Sequence, residues 1–228
     1  MPTIAITGAA RGIGFELAKQ HLAAGDRVFA LARDPSTATA LNDLAAGSGG
    51  KLTVYAMDVA DAASVKAGAA DTGSDPIDVL YNVAGISGHR AAELESFDED
   101  TWNSLFEIMV KGPLRVLQAF LPRLHSGSKV INVSSQIGAS TWPYGGFYAY
   151  AAAKAALNRL MRSVATDLKP RGIVVGLVHP GFVQTDMGGA QAEISPQESA
   201  NGLRALTQGW TIEQTGEFFD WNGKPRDW

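Results

Sequence analysis

The sequence predicts an α/β fold: a central, mostly parallel sheet of about seven strands, doubly wound and flanked by helices. Three observations predict it. Short strand-like runs alternate with helical patterns along the chain. Most of those runs are continuously apolar rather than alternating, as strands covered on both faces should be. A glycine-rich turn joins the first run directly to a helical pattern. The strands are expected at 3–7 (TIAIT), 27–32 (RVFALA), 52–56 (LTVYA), 77–81 (IDVLY), 129–133 (KVINV) and 172–178 (GIVVGLV), with a last short one within 216–221 (GEFFDW). The first helix, FELAKQHLAAG, has Gly25 well placed to end it. Asp34 before Pro35 is an N-cap followed by a proline in the first turn. Long helices are expected at 98–123 and 148–168, the second from its run of alanines. No Pro/Gly/Ser linker or internal repeat divides residues 1–228, so one domain is expected.

With 46% hydrophobic residues and a mean hydropathy near zero, the chain can bury a substantial core. A net charge of −4 and no basic run argue against nucleic-acid and anionic-membrane partners, without excluding small anionic ligands. The absence of cysteine removes disulfides, thiolate metal sites and a cysteine nucleophile, and no metal-ligand cluster is visible. The opening MPTIAITGAARGIG carries no recognisable signal peptide, and no apolar run approaches bilayer length. A soluble, cytoplasmic protein is the expectation.

Two local patterns carry chemistry. In TGAARGIG, Gly8, Gly12 and Gly14 stand at a strand-to-helix turn, where glycines let the backbone approach a pyrophosphate resting on the helix N-terminus. The spacing Gly-x-x-x-Gly-x-Gly differs from the commoner dinucleotide fingerprint; a plain turn is the alternative. In FYAYAAAKAALNRL, Tyr150 and Lys154 are one helical turn apart, so phenol and ammonium can point at one spot. The bland alternative is a packing tyrosine and a solvated lysine.

TGAARGIG, NVAG (82–85), INVSS (131–135), YAAAK (150–154) and HPGFVQTDM (179–187) occur in the order seen in classical short-chain dehydrogenases/reductases. The chain resembles that family over nearly its whole length, and its tail GEFFDWNGKPRDW resembles the C-factor-like carbonyl reductases. The resemblance implies a Rossmann-type fold and hydride transfer between a nicotinamide and a small-molecule ketone or aldehyde, or the alcohol. It gives Tyr150 the proton transfer to the carbonyl. A free phenol has a pKa near about 10; Lys154 beside it would favour the phenolate and bring proton affinity closer to working pH. Lys154 would also hydrogen-bond the nicotinamide ribose. Ser135 matches the hydroxyl that orients the carbonyl oxygen, with Ser134 the alternative, and either serine could simply satisfy nearby backbone. For the dinucleotide the resemblance implies Gly8, Arg11, Gly12, Ile13 and Gly14 in the first turn. It adds Asp58 and Val59 at the adenine and Asn82, Ala84 and Gly85 after the fourth strand. Tyr150 and Lys154 follow, and Pro180, Gly181, Val183 and Thr185 at the carboxamide. Asp58 could equally start a helix. Dimers or tetramers built on the helices at 98–123 and 148–168 are common in the family.

NADP(H) is favoured over NAD(H). Relatives that use NAD usually end the second strand in an acidic residue; here Ala32 is followed by Arg33, whose guanidinium matches a 2′-phosphate. Arg11 could reach the same phosphate, and Asp34 is occupied as a cap. The chain departs from the family at Met109, where an asparagine is expected: a thioether cannot donate a hydrogen bond. Gly112–Pro113 nearby leaves the Met109 carbonyl without its helical partner, since proline has no N–H. In the family, such a freed carbonyl holds a water of the proton relay. Trp142, Tyr144 and Phe147 either wall an apolar substrate pocket or pack in the core. His89 either faces the cleft or is solvated. The segment 187–195 has two glycines and few evident anchors, as a mobile lid would. A carbonyl reductase or alcohol dehydrogenase for a small or medium apolar ketone or aldehyde is the leading function. A dinucleotide-binding sensor or signalling protein with vestigial catalysis is its rival.

Overall fold

Seven strands line up in one sheet within the computed structural model, which describes residues 1–87 and 98–228. They are β1 (Thr3–Thr7), β2 (Arg27–Ala32), β3 (Leu52–Ala56), β4 (Ile77–Asn82), β5 (Leu124–Val133), β6 (Val174–His179) and β7 (Phe218–Asp220). Their order is β3-β2-β1-β4-β5-β6-β7, and every pairing is parallel. The helices are α1 (Gly12–Ala23), α2 (Thr39–Ala46), α3 (Ala62–Asp71), α4 (Glu99–Phe106), α5 (Gly112–Phe120), α6 (Tyr148–Leu168) and α7 (Pro196–Gly209). This is the doubly wound Rossmann-type arrangement that the strand–helix alternation predicts.

Because successive strand residues face opposite sides, an apolar run in β1 or β2 feeds two cores at once. Ala5 and Phe29 join Val65, Leu117, Leu157 and Met161 on one face, under α3, α5 and α6. Ile4, Ile6 and Val28 join Leu17, Leu41, Leu203 and Trp210 on the other, under α1, α2 and α7. Strand order reverses between β1 and β4, which opens a crevice at their carboxyl ends where ligands of such sheets bind. None of the helices among the described residues is long and apolar enough to cross a membrane.

Three boundaries differ from the sequence expectation. The sixth strand begins at Val174, not 172, because Gly172 takes a left-handed φ of 70° in the turn before it. The fifth begins early, at Leu124, across a register shift opposite Ile77 and Val79. The helix expected to run over 98–123 is interrupted by a π-helical turn at Glu107–Lys111. Gly25 ends α1 as expected, with φ 86° and its N–H donated to the Leu22 carbonyl at 2.9 Å. Asp34 caps as expected, accepting from the Ser36 N–H at 2.9 Å with Pro35 following.

Candidate active site

The turn after β1 is shaped by contact with the loop after β4. Gly8 has φ 67°, and a Cβ there would lie 2.8 Å from the Ala84 α-carbon. At Gly14 a Cβ would lie 2.3 Å from the Gly8 carbonyl oxygen. Only glycine fits either place. Thr7 ties the two loops, its hydroxyl accepting from the N–H groups of Val83 at 3.0 Å and Ala84 at 3.2 Å. Arg11 is the N-cap of α1 but gives it no side-chain cap, and no acidic residue sits in the first turn. The helix N-terminus, with Gly12, Ile13 and Gly14 as its first residues, thus carries no acidic side chain and no side-chain cap of its own. Asn82 donates from its side-chain amide to the Asn132 Oδ1 at 2.9 Å, while its own buried amide oxygen has no partner. A cradle that excludes side chains, an uncapped helix start and a buried orphan acceptor fit a dinucleotide laid across the switch crevice.

Further along the same edge, the adenine-side residues are partly committed. Asp58 accepts from the Ala60 N–H at 2.9 Å, and Asp61 rather than Asp58 caps α3. Val59 packs against the start of α5, where a Cβ on Gly112 would lie 3.1 Å from it. Arg33 is exposed immediately after β2 ends at Ala32. The Arg11 guanidinium pairs with Asp186 at 2.7 Å, with both side chains largely exposed. A Cβ on Gly12 would lie 3.1 Å from the Thr185 methyl, so the glycine turn and the loop after β6 close on each other.

That second loop contains Pro180, Gly181, Val183 and Thr185. Thr185 donates to the Val183 carbonyl at 3.3 Å and accepts from the Gly188 N–H at 3.2 Å. The segment 187–195, expected to lack anchors, has several. Gln184 and Ile194 bond through N–H and carbonyl at 2.9 Å, and the N–H groups of Glu193 and Ile194 both reach the Phe182 carbonyl. Val183 and Ile194 form a parallel bridge. These tertiary backbone bonds are not legible in a glycine-containing loop sequence.

Ser135, Tyr150 and Lys154 lie together just past the carboxyl end of β5. The two serines divide cleanly: the Ser134 hydroxyl is spent on the Asn158 side chain at 2.5 Å, whereas the Ser135 side chain lies beside Tyr150. The Ser135 oxygen also accepts from the Ile137 N–H at 3.2 Å. Lys154 is buried, donates to the Val133 carbonyl at 2.8 Å, and lies 5.7 Å from the centre of the Tyr150 ring. Here the electrostatics differ from the sequence expectation. Burial pushes the Tyr150 hydroxyl up to about 12, with the neighbouring Ser135 working against it. Burial also pushes the Lys154 ammonium down to about 8. Spacing on a helix places the two groups on one face but does not reveal how strongly the surroundings desolvate both.

Met109 is the position at which the resemblance implies an asparagine. Its buried side chain packs with Leu105, Ala149 and Ala153, with Tyr150 and Ile86 against the same cluster. Gly112 donates its N–H to the Glu107 carbonyl in the π turn, and Pro113 has none to give. The carbonyls of both Ile108 and Met109 thereby lose their ordinary helical donors, one more than the proline alone implies. Phe147, the N-cap of α6, holds a left-handed φ of 55°, and its ring meets Tyr150 edge-on at 6.5 Å. Trp142 and Tyr144 meet edge-on at 5.1 Å. His89 lies outside the described residues. Asn158, Asn132, Thr7 and Asp186 are site-supporting residues that the motifs alone do not single out; the nearest signal was their position inside or beside the quoted segments.

The model of the short chain dehydrogenase family matches residues 2–195. The C-signal of Myxococcus xanthus is 42% identical over 167 residues, covering 72% of this chain and 100% of its own. The 1-hydroxy-2-glutathionyl-2-methyl-3-butene dehydrogenase of a Rhodococcus species is 33% identical, with both chains covered in full. The NADPH-bound carbonyl reductase from chicken fatty liver superposes with a TM-score of 0.91 at 32% identity, covering 100% of this chain and 99% of its own. With the cradle, the switch-point crevice and the serine–tyrosine–lysine convergence already in place, these matches establish that the chain is an oxidoreductase-family protein belonging to the short-chain dehydrogenases/reductases.

Proposed function

We propose that this chain is an NADP(H)-dependent carbonyl reductase or alcohol dehydrogenase, with residues 1–228 acting as one dinucleotide-binding and catalytic unit. The observation that carries the reading is Ser135 beside Tyr150 and a buried Lys154, just past the carboxyl end of β5. The nicotinamide, when bound, supplies or accepts the hydride. Ser135 donates a hydrogen bond to the carbonyl oxygen and fixes its position over Tyr150. Tyr150 transfers its proton to that oxygen as the carbon is reduced. Its upward shift keeps the phenol protonated at neutral pH, which suits an acid in the reducing direction. Lys154 spends one N–H on the Val133 carbonyl and keeps two for the proton path and a ribose hydroxyl. Thr185 and the Val183 backbone would hold the carboxamide. Gly8, the first turn of α1, Asp58, Val59, Asn82, Ala84 and Gly85 would line the rest.

Arg33, exposed after β2 with no acidic residue ending that strand, supports NADP(H) over NAD(H), as does the NADPH in the chicken carbonyl reductase. A cytoplasmic location belongs to this reading, because the reaction draws on a reduced nicotinamide pool. So does a homodimer or homotetramer: an open groove of about 960 Å³ runs along α6, with Ala151, Ala152 and Ala155 among its lining. Met109 and the likeness to a C-signal favour the second reading, a dinucleotide-binding sensor or signalling protein with weak catalysis.

NADPH oxidation in the presence of a panel of ketones and aldehydes separates the two. Tyr150→Phe is expected to lose about 10²–10⁴ in rate while still binding NADPH. Tight NADPH binding by the wild type with no turnover of any carbonyl would favour the sensor.

A further inference from the structure

Four large apolar side chains stand out into solvent in the chain beyond the carboxyl ends of β5 and β6. Tyr144 is 70% exposed, Tyr148 38%, Phe182 44% and Met187 49%; with Met1 they make up all the exposed large hydrophobics among the described residues. They come from the two connections leaving the carboxyl ends of the adjacent strands β5 and β6, Tyr148 at the first position of α6. Exposed apolar side chains grouped at one place mark a binding surface more often than scattered ones do. Part of this surface adjoins the reacting groups. Phe147 meets Tyr150 edge-on at 6.5 Å, Tyr148 follows it in the chain, and Trp142 meets the exposed Tyr144 at 5.1 Å.

The same loops lack charge. No Asp, Glu, Lys, Arg or His occurs from Gln136 to Ala153, nor from Pro180 to Thr185. The first charge beyond, Asp186, is already paired with Arg11. A carrier-bound acyl group brings phosphates and a glutathione conjugate brings carboxylates, and both need cations that these loops do not offer. An uncharged hydrocarbon chain needs only the apolar surface that is present.

We propose that the substrate is a free, uncharged aldehyde or ketone with an elongated apolar chain, which leaves the catalytic nook across Tyr144, Tyr148, Phe182 and Met187. This rests on the oxidoreductase reading above. The carbonyl carbon gains a hydride from NADPH and the oxygen a proton from Tyr150, giving the alcohol and NADP⁺. Phe147, held in a left-handed conformation against Tyr150, forms the inner end of the track.

The test is a series of straight-chain aldehydes from butanal to decanal, with NADPH oxidation as readout. In the wild type, kcat/KM is expected to climb about two- to fourfold per methylene, the worth of partial to full burial of each group. In the variant carrying Tyr144→Ser and Met187→Ser the climb should flatten, with NADPH binding retained. A flat series in the wild type, or a preference for a carrier-linked 3-oxoacyl substrate over a free carbonyl of equal chain length, would overturn the proposal. So would a flat series together with wild-type sedimentation on phosphatidylcholine vesicles that the double variant loses, since the mouth would then be a lipid contact. Wild type that turns over no member of the series but does reduce other ketones or aldehydes would overturn this inference alone, whereas turnover of no carbonyl at all, as in Tyr150→Phe, would remove the oxidoreductase reading and this inference with it.

Discussion

Tyr150 and Lys154 are each moved by burial away from the ordinary range of their side chains, the phenol up to about 12 and the ammonium down to about 8. The consequence has a direction. Below pH 8 Lys154 keeps its charge and Tyr150 its proton, so the site holds a ready acid and very little base. Reduction is expected to change little between about pH 6 and 8, whereas alcohol oxidation should rise roughly tenfold per unit, following the phenolate fraction. An oxidation profile that levels off below pH 8 would mean that the lysine overcomes burial once the site is filled. At the other end of the crevice, Arg33 stands exposed and Arg11 is paired with Asp186. Arg33→Ala is expected to weaken NADPH binding by about 10- to 100-fold, the worth of a charge-assisted hydrogen-bond pair, with NADH binding changed far less. Equal losses for both cofactors in a fluorescence titration would show that Arg33 does not read the 2′-phosphate.

Between α4 and α5 the chain solves a local problem that the residues announce only in part. Pro113 foretells a break, and the sequence accordingly points to a freed carbonyl at Met109. What it does not foretell is a π-helical turn over Glu107–Lys111, which hands the Gly112 N–H to Glu107 and unserves a second carbonyl at Ile108. The identity of the strands and the glycine turn was legible because two-sided burial writes itself as unbroken apolar runs and close backbone approach as glycine. The anchors of segment 187–195 were not, because backbone bonds to Phe182 and Gln184 leave no mark on side-chain identity. The setting of Met109 was equally hidden: it closes an apolar cluster with Leu105, Ala149 and Ala153 against the first turns of α6, beside Tyr150. Met109→Asn would place an amide in that cluster, so a stability loss of about 1–3 kcal/mol is expected in urea unfolding. Turnover should stay similar or rise, since the relay gains a side-chain donor. Steady-state rates far below wild type, with the fold intact by circular dichroism, would show that the methionine itself serves the reaction.

For the whole molecule, α6 does two things at once. Its inner face carries Tyr150, Lys154, Leu157 and Met161 toward the site and the core, while its outer face is a shallow wall of Ala151, Ala152, Ala155, Arg159 and Arg162. Small residues let another helix approach closely, and the groove of about 960 Å³ along them is bounded at one side by Trp228, over whose ring the Arg162 guanidinium lies at 4.8 Å. Asp167 shares this face with Arg159 two turns earlier, so two antiparallel copies of α6 crossing near Ser163 would set each Arg159 opposite an Asp167. Such a contact is isologous and closes as a dimer. If a second copy covers this face, light scattering on the wild type should give twice the mass of one chain. Ala155→Trp, an exposed position on the groove floor, should then shift the protein toward monomer by overfilling the approach. Because Ala155 adjoins Lys154, the same variant tests the link between assembly and chemistry. A monomer that reduces carbonyls as fast as the wild type would make the dimer independent of catalysis, and a wild type that scatters as a single chain at every concentration would leave the groove to another occupant.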